Sequence, residues 1–225
     1  MKRLIVVALC LLATACAQAP TTTPTQTSTP SPTPSADESP AVRAAFETYT
    51  KAALAKDGTT GVSVLAKPIF DTYDDFRKLA LTATEQDLST APLGKRAAVY
   101  TLRGSVDPAI LRTASPKELV KVSIDRGLVG EKGINNLELG KITASGDTAS
   151  AEVLARGQVA PYKFRFVRED GTWKLDLQPL LDLADSAYAE VAKQQNLTPE
   201  QFLDGVLNQM YGPAKAAEVR KPLGA

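Results

Sequence analysis

Carboxylates and phenols are the side chains with which this chain could do chemistry. It contains no histidine and only two cysteines, Cys10 and Cys16. Hydrolase centres that pair serine or cysteine with histidine are therefore excluded, and so is histidine-ligated zinc. Gly127, Gly130 and Gly133 lack the Lys-Ser or Lys-Thr that follows a phosphate-binding loop, so they predict a helix end and a turn. We expect no cofactor and no metal site.

Two acidic groups are candidates for a general base. The stretch DTYDD at residues 71–75 combines carboxylates with a phenol, but helical spacing places these carboxylates on a polar, solvated face. Asp176 ends an alternating segment, in which a pair with Arg165 on the neighbouring strand would contribute about 0.2–1 kcal/mol if exposed. An isomerase or dehydratase would instead need such a carboxylate inside an apolar cavity, with its pKa raised.

Five aromatic residues could line an apolar pocket for a small ligand: Tyr100, Tyr162, Phe164, Phe166 and Trp173. Aromatic side chains at such spacing more often belong to the core of a domain. Both interpretations remain open at this point.

The amino terminus carries an export signal. Lys2 and Arg3 precede twelve uncharged residues, LIVVALCLLATA, which as a helix would cover about 18 Å of a bilayer core of about 30 Å. The small residues at 13–15, followed at once by Cys16, resemble the lipobox of bacterial lipoproteins, although alanine stands where leucine is usual. The resemblance implies removal of residues 1–15 as a signal peptide and acylation of Cys16. The alternative is an ordinary cleaved signal with an incidental cysteine.

A linker rich in proline, threonine and serine follows, over residues 16–39. Between residues 17 and 38 its only apolar side chains are alanines, and five prolines interrupt it. Such a segment buries too little apolar area to offset its ordering entropy and is predicted to be disordered, with a reach of about 70 Å. Together with the lipobox, it predicts an extracytoplasmic protein anchored by lipid to the outer face of the plasma membrane or to an outer membrane.

Residues 40–212 are predicted to form one domain, with a short tail over residues 213–225. Without Lys2 and Arg3 the chain has 24 basic and 25 acidic residues, a formal charge of −1, and no basic run. This balance excludes an electrostatic footprint for nucleic acid.

The periodicity of apolar residues changes half-way along this domain. Helices are predicted from residues 39, 68 and 115, the last with a cap at Ser115, and over 96–103, where Val-Tyr-Thr would also favour a strand. Two more follow the strands, over 180–194 and 199–211, the second started by a capping pair of Thr198 with Gln201. Between them, residues 145–147 and 170–171 predict hairpin turns. In the second hairpin, four cross-strand pairs are predicted: Phe166 with Leu175, Phe164 with Leu177, Arg165 with Asp176, and Val167 with Lys174. The fold class is therefore α+β, a curved antiparallel sheet of about four or more strands packed on N-terminal helices, with C-terminal helices and one open face.

The segments INNLELGKITASGDTASAEV and PYKFRFVREDGTWKLDL resemble the sheet of the nuclear transport factor two-like (cystatin-like cone) superfamily. The resemblance covers about residues 40–182 and implies a curved sheet around a long helix. Enzymes of this superfamily place tyrosine, aspartate or histidine inside the cone, but none of those motifs maps onto this chain. The additional helices before and after the sheet depart from the minimal fold.

These features favour a membrane-anchored lipoprotein without catalytic activity, which binds a small apolar ligand or an envelope protein. An isomerase- or dehydratase-type enzyme is one alternative. A structural or accessory envelope module, including a homodimer formed through the open sheet face, is another.

Overall fold

The folded body includes residues before the predicted boundary at residue 40. The computed structural model describes residues 38–128, 134 and 136–224; the predicted signal peptide, Cys16 and the linker up to residue 37 lie outside the described residues. Ser39 already opens the first helix. Before it, the Glu38 carboxylate accepts a hydrogen bond from Trp173 Nε1 at 3.0 Å and pairs with Arg168 at 2.8 Å. These contacts tie the end of the predicted linker to the sheet.

Helices occupy most of the chain before the sheet. Within residues 38–128 they are α1 (Ser39–Ala55), α2 (Gly58–Ser63), α3 (Pro68–Thr82), α4 (Glu85–Leu88), α5 (Leu93–Ser105), α6 (Pro108–Thr113) and α7 (Pro116–Asp125). The ambiguous segment 96–103 is helical as predicted. Its buried residues Arg96, Val99, Tyr100 and Arg103 recur at helical spacing, which outweighs the strand preference of Val-Tyr-Thr.

Three short helices were not predicted, although each has a side-chain cap. The Asp57 carboxylate accepts from Thr60 N before α2, Thr84 and Asp87 form a capping box at α4, and Asp107 accepts from Ala109 N before α6. Each helix is only four to six residues long. Apolar periodicity does not become visible over such lengths.

The sheet is a curved, unclosed antiparallel meander in the order β1 (Leu137–Ser145), β2 (Thr148–Ala155), β3 (Gln158–Glu169) and β4 (Thr172–Asp176). The α+β class is confirmed, and so are the predicted pairs Phe166 with Leu175, Arg165 with Asp176 and Val167 with Lys174. The expected pair of Phe164 with Leu177 is wrong, because β4 ends at Asp176 and Leu177 caps the next helix. Asp170 and Gly171 both have positive φ, as a tight hairpin turn requires.

One face of the sheet is packed and the other is open, as predicted. The packed face carries Leu139, Ala151, Val153, Phe164, Phe166 and Leu175, all buried. Helix α1 lies against it, with the rings of Phe46 and Phe164 5.2 Å apart. Lys163 and Arg165 are exposed on the open face. A homodimer through that face stays a prediction.

Both outer strands of the sheet, β1 and β4, make further contacts along their outer edges. Leu175 of β4 pairs in parallel with Leu65, through hydrogen bonds to Val64 O and from Ala66 N. At the other edge, Arg43 of α1 donates to Leu139 O at 2.6 Å and to Gly140 O at 3.0 Å, where the register of β1 shifts. Covered edges of this kind limit pairing with other chains.

The helices after the sheet are α8 (Gln178–Gln194), α9 (Pro199–Tyr211) and α10 (Pro213–Val219). The predicted capping pair at the start of α9, Thr198 with Gln201, is confirmed. Residues 213–224 belong to the folded body and do not form the predicted tail. Val219 is buried, and Gly224 N donates to Leu81 O at 3.0 Å. Among the described residues, none of the helices combines the length and the apolar character needed to cross a bilayer.

Two hydrophobic cores stabilise this body. The first lies between the packed face of the sheet and helices α1, α2, α3 and α7. The second is entirely helical and is built from α3 to α10. The half-buried side chains of Tyr73 and Leu181 pack against both cores, so α3 and α8 join the sheet to the helical part.

Candidate functional site

A cavity of about 510 Å³ lies among α3, α5, α8 and the end of α7. We call it the α3/α5/α8 cavity. Its apolar wall includes Phe76, Ala97, Ala98, Leu102, Leu128 and Leu181. This volume falls within the range of small-molecule sites, which are commonly lined by apolar groups with a few polar ones.

Four charged residues line the same cavity: Asp75 from α3, Lys95 from α5, and Asp182 and Asp185 from α8. The two α8 residues are separated by three positions, so they lie on one face of that helix. The charged part of the wall is therefore predominantly acidic.

Asp185 fixes the beginning of α5 against α8. Pro92 precedes α5 and provides no side-chain cap; instead the Asp185 carboxylate accepts a hydrogen bond from Lys95 N at 3.1 Å. A carboxylate at this position offsets the partial positive charge of a helix N-terminus. Gly94 makes the approach possible, because a Cβ at that position would lie 2.2 Å from Asp185 Oδ1.

The start of α8 is held by a second set of polar contacts. Thr72 Oγ1 donates to Gln178 Oε1 at 2.7 Å, and Gln178 N donates to Asp176 Oδ1 at 2.9 Å. Asp176 in turn pairs with Arg165 of β3. The wall that α8 contributes to the cavity is thus positioned from the sheet.

Hydroxyl groups from α3, α7 and α8 complete the wall. Burial raises the pKa of the Tyr73 phenol to about 12, and the nearby Ser123 hydroxyl offsets part of that shift. Ser123 is buried and donates to Leu119 O at 2.9 Å. Tyr73 therefore stays protonated at neutral pH and offers a hydroxyl, not a charge. Tyr188 of α8, partly exposed, also lines the cavity.

Asp176 is the one buried residue among the acidic residues that the structure describes. The predicted pair with Arg165 is confirmed, but the expectation that it lies on the surface is wrong. The side chain of Asp176 is 1% exposed and that of Arg165 52%. Helix α8 begins immediately after β4, and Gln178 N at its start donates to the Asp176 carboxylate. Asp176 does not line the α3/α5/α8 cavity.

The five aromatic residues considered as pocket lining are divided between the two cores. Phe164, Phe166 and Trp173 are buried in the sheet core, with Tyr162 half-buried at its margin, whereas Tyr100 is buried in the helical core. None of the five belongs to the wall of the α3/α5/α8 cavity, nor to that of a second, smaller cavity between α1 and β1.

Sequence reasoning missed most of the residues that do line the α3/α5/α8 cavity. Tyr73 and Asp75 belong to the stretch 71–75, whose carboxylates were predicted to lie on a solvated helix face; the side chain of Asp75 is 65% exposed and also lines the cavity. The alternation of carboxylates with apolar residues along α8, at Asp182 and Asp185, is the signal that could have drawn attention to that helix.

Comparison with known proteins adds no relative. No protein family, curated protein or solved structure matches this chain. The resemblances to bacterial lipoproteins and to the nuclear transport factor two-like superfamily therefore stay predictions. Within residues 38–128, 134 and 136–224, no cluster of three or more potential ligands could hold a metal ion.

Proposed function

We propose that this chain is a lipid-anchored, extracytoplasmic binding protein without catalytic activity, and that its small ligand occupies the α3/α5/α8 cavity. The observation that carries the proposal is this cavity, of about 510 Å³, which joins an apolar wall to a few polar groups on helices held in place by Asp185 and Gln178. Preformed cavities of this composition are typical binding sites.

The sequence supports the anchor. Cys16 directly follows an apolar segment too short to span a bilayer, and about twenty proline- and threonine-rich residues separate it from α1. A tether of that length lets the folded body bind its ligand at a distance from the headgroups.

Asp176 is the buried carboxylate, among the described residues, that the enzymatic alternative could use as a base. Its carboxylate contacts Arg165 and the backbone of Gln178, and it does not face the cavity. These contacts give the buried Asp176 a structural role, because they join the end of β4 to the start of α8. They favour binding over catalysis.

The proposal that the ligand binds in the α3/α5/α8 cavity is tested by a substitution that fills this cavity. Ala98→Trp places a large side chain in the cavity wall, whereas Ala44→Trp, on the exposed face of α1, is the matched control. We expect small apolar molecules, screened by ligand-observed nuclear magnetic resonance, to bind the wild-type and Ala44→Trp proteins and not Ala98→Trp. Equal binding by all three proteins would place the ligand elsewhere.

The anchor is tested separately, because Cys16 lies far outside the cavity wall in sequence. Mass spectrometry of the protein from its native host should find residues 1–15 absent and Cys16 acylated, and Cys16→Ser should move the protein out of the membrane fraction. A bare thiol, or an intact amino terminus, would contradict the anchor and leave the binding cavity untouched.

A further inference from the structure

We propose that the ligand of the α3/α5/α8 cavity is a small organic cation, an ammonium group carried on an apolar body. This inference rests on the proposed function, since it names the chemical class of ligand for the same cavity. Two observations support it. The cavity wall contains more acidic than basic residues, and the existing contacts of these acidic residues determine which of them remain available to a ligand.

The wall holds an excess of negative charge. Asp75, Asp182 and Asp185 line the cavity together with one lysine, Lys95, so the formal charge of the lining is −2. The chain without its signal peptide has a formal charge of only −1 in total. Negative charge is thus concentrated at the cavity, where it attracts a cation and disfavours an anion.

Two of these carboxylates retain most of their hydrogen-bonding capacity. Asp182 accepts one long hydrogen bond, from Gln178 Nε2 at 3.5 Å, and Asp75 lies 3.9 Å from Lys78 Nζ. A carboxylate can accept about four hydrogen bonds, and an ammonium group supplies up to about three donors. An incoming ammonium would therefore find acceptors that the protein leaves available.

The feature that could attract an anion is already neutralised. The N-terminus of α5 opens beside the cavity, and helix N-termini favour negative groups. Asp185 occupies this position through its hydrogen bond from Lys95 N. A ligand carboxylate or phosphate would have to displace Asp185 and would then meet Asp182.

The remaining wall suits an apolar body next to the charge. Phe76, Leu102 and Leu181 provide aliphatic and aromatic surface. The rings of Tyr73 and Tyr188 add faces on which a cation can lie. Because burial raises the pKa of Tyr73 to about 12, its ring carries no competing charge at neutral pH.

Three probes of similar size separate charge from shape: 2-phenylethylamine, 2-phenylethanol and 3-phenylpropionate. Calorimetric titration of the mature chain carrying Cys16→Ser should show the amine binding at least about tenfold more tightly than the alcohol, and the propionate most weakly. Rising salt should weaken only the amine. Asp182→Asn should lower the affinity for the amine about three- to tenfold and leave the alcohol unchanged, whereas Glu190→Gln, an exposed charge elsewhere on α8, should change neither.

The outcomes distinguish the two proposals. If the alcohol or the propionate binds as tightly as the amine, or if Asp182→Asn affects all probes equally, the cation inference is overturned and the binding cavity stands. If none of the probes binds, or if all bind Ala98→Trp unchanged, the cavity itself is overturned as the site.

Discussion

Arg165 and Asp176 form a cross-strand ion pair in which one partner is half exposed and the other is sealed from solvent. The pair lies where β4 ends and α8 begins, and Asp176 also accepts the backbone hydrogen bond from Gln178 that starts α8. A single carboxylate thus connects the register of the sheet to the helix that walls the cavity.

Arg165→Gln is expected to destabilise the fold more than Asp176→Asn. Loss of the arginine leaves a buried carboxylate without its counter-ion, at a cost of about 2 kcal/mol, whereas an asparagine can still accept from Gln178 N and costs about 1 kcal/mol. Urea denaturation measures both. Lys163→Gln, two residues away on the same open face, serves as control and should stay within about 0.5 kcal/mol of wild type. If Asp176→Asn destabilises the protein more than Arg165→Gln does, Asp176 contributes to stability through something other than its charge.

Arg103 is expected to be among the most sensitive positions of the helical core. Its guanidinium donates five hydrogen bonds, to the carbonyls of Leu79, Ala80, Ala83, Val219 and Arg220. These carbonyls belong to the ends of α3 and α10, where most backbone acceptors lack intrahelical partners; Leu79 O also accepts from Ala83 N. Arg103→Met should cost about 3 kcal/mol, and Arg103→Lys should recover only part, because an ammonium cannot reproduce the planar set of donors.

Arg112→Met is the matched control for Arg103. Arg112 makes one exposed hydrogen bond, to Leu223 O at 3.0 Å, and its loss should cost less than about 1 kcal/mol by chemical denaturation. Equal losses at the two arginines would contradict the role given to Arg103.

Two glycine-to-alanine substitutions should have opposite signs. Gly94→Ala would place a Cβ 2.2 Å from Asp185 Oδ1, so either the Asp185 carboxylate turns away from Lys95 N or α8 shifts. We expect a loss of about 1–2 kcal/mol together with altered ligand binding. Gly205, in α9, has nothing within 4 Å of an added Cβ, and Gly205→Ala should gain about 0.5–1 kcal/mol. Thermal denaturation measures both signs. If Gly94→Ala leaves the stability unchanged, the contact between α5 and α8 can rearrange at little energetic cost.

Tyr73 is one of the groups expected to lower the stability in alkaline solution; burial raises the pKa values of Tyr49, Tyr100 and Tyr162 as well. In the folded state the pKa of Tyr73 is raised to about 12, from the ordinary value of 10.0. Between these values the unfolded state loses the proton first, so the free energy of unfolding decreases as pH rises through this window; below it the contribution is complete. Tyr73→Phe should make the decline shallower in urea denaturation measured from about pH 9 to about pH 12. An unchanged slope would contradict the assignment.

The sequence predicted the sheet more accurately than the cavity. Hairpin turns at residues 145–147 and 170–171, with alternating apolar residues beside them, specify strand pairs locally, and three of the four predicted pairs are confirmed. The fourth failed because Leu177 belongs to the cap of α8. Caps at Ser115 and Thr198 likewise identified the starts of α7 and α9, since capping depends on residues within one turn.

The candidate site could not be predicted from local sequence patterns, because its residues come from separate parts of the chain. Within their own helices Asp75 and Asp185 look like ordinary surface residues, and only the packing of α3 and α8 against α5 brings them to one cavity. The aromatic residues that attracted attention are those that the cores bury.

The sequence by itself determined the absence of histidine chemistry, the near-neutral charge and the α+β order of elements, and it predicts a lipid anchor at Cys16 followed by a linker. These follow from composition and from patterns within a few residues. Tertiary structure alone decided that Asp176 is buried, that the last twelve described residues pack into the body, and that a cavity opens among α3, α5 and α8. Burial and cavities depend on contacts between distant segments, which local periodicity does not encode.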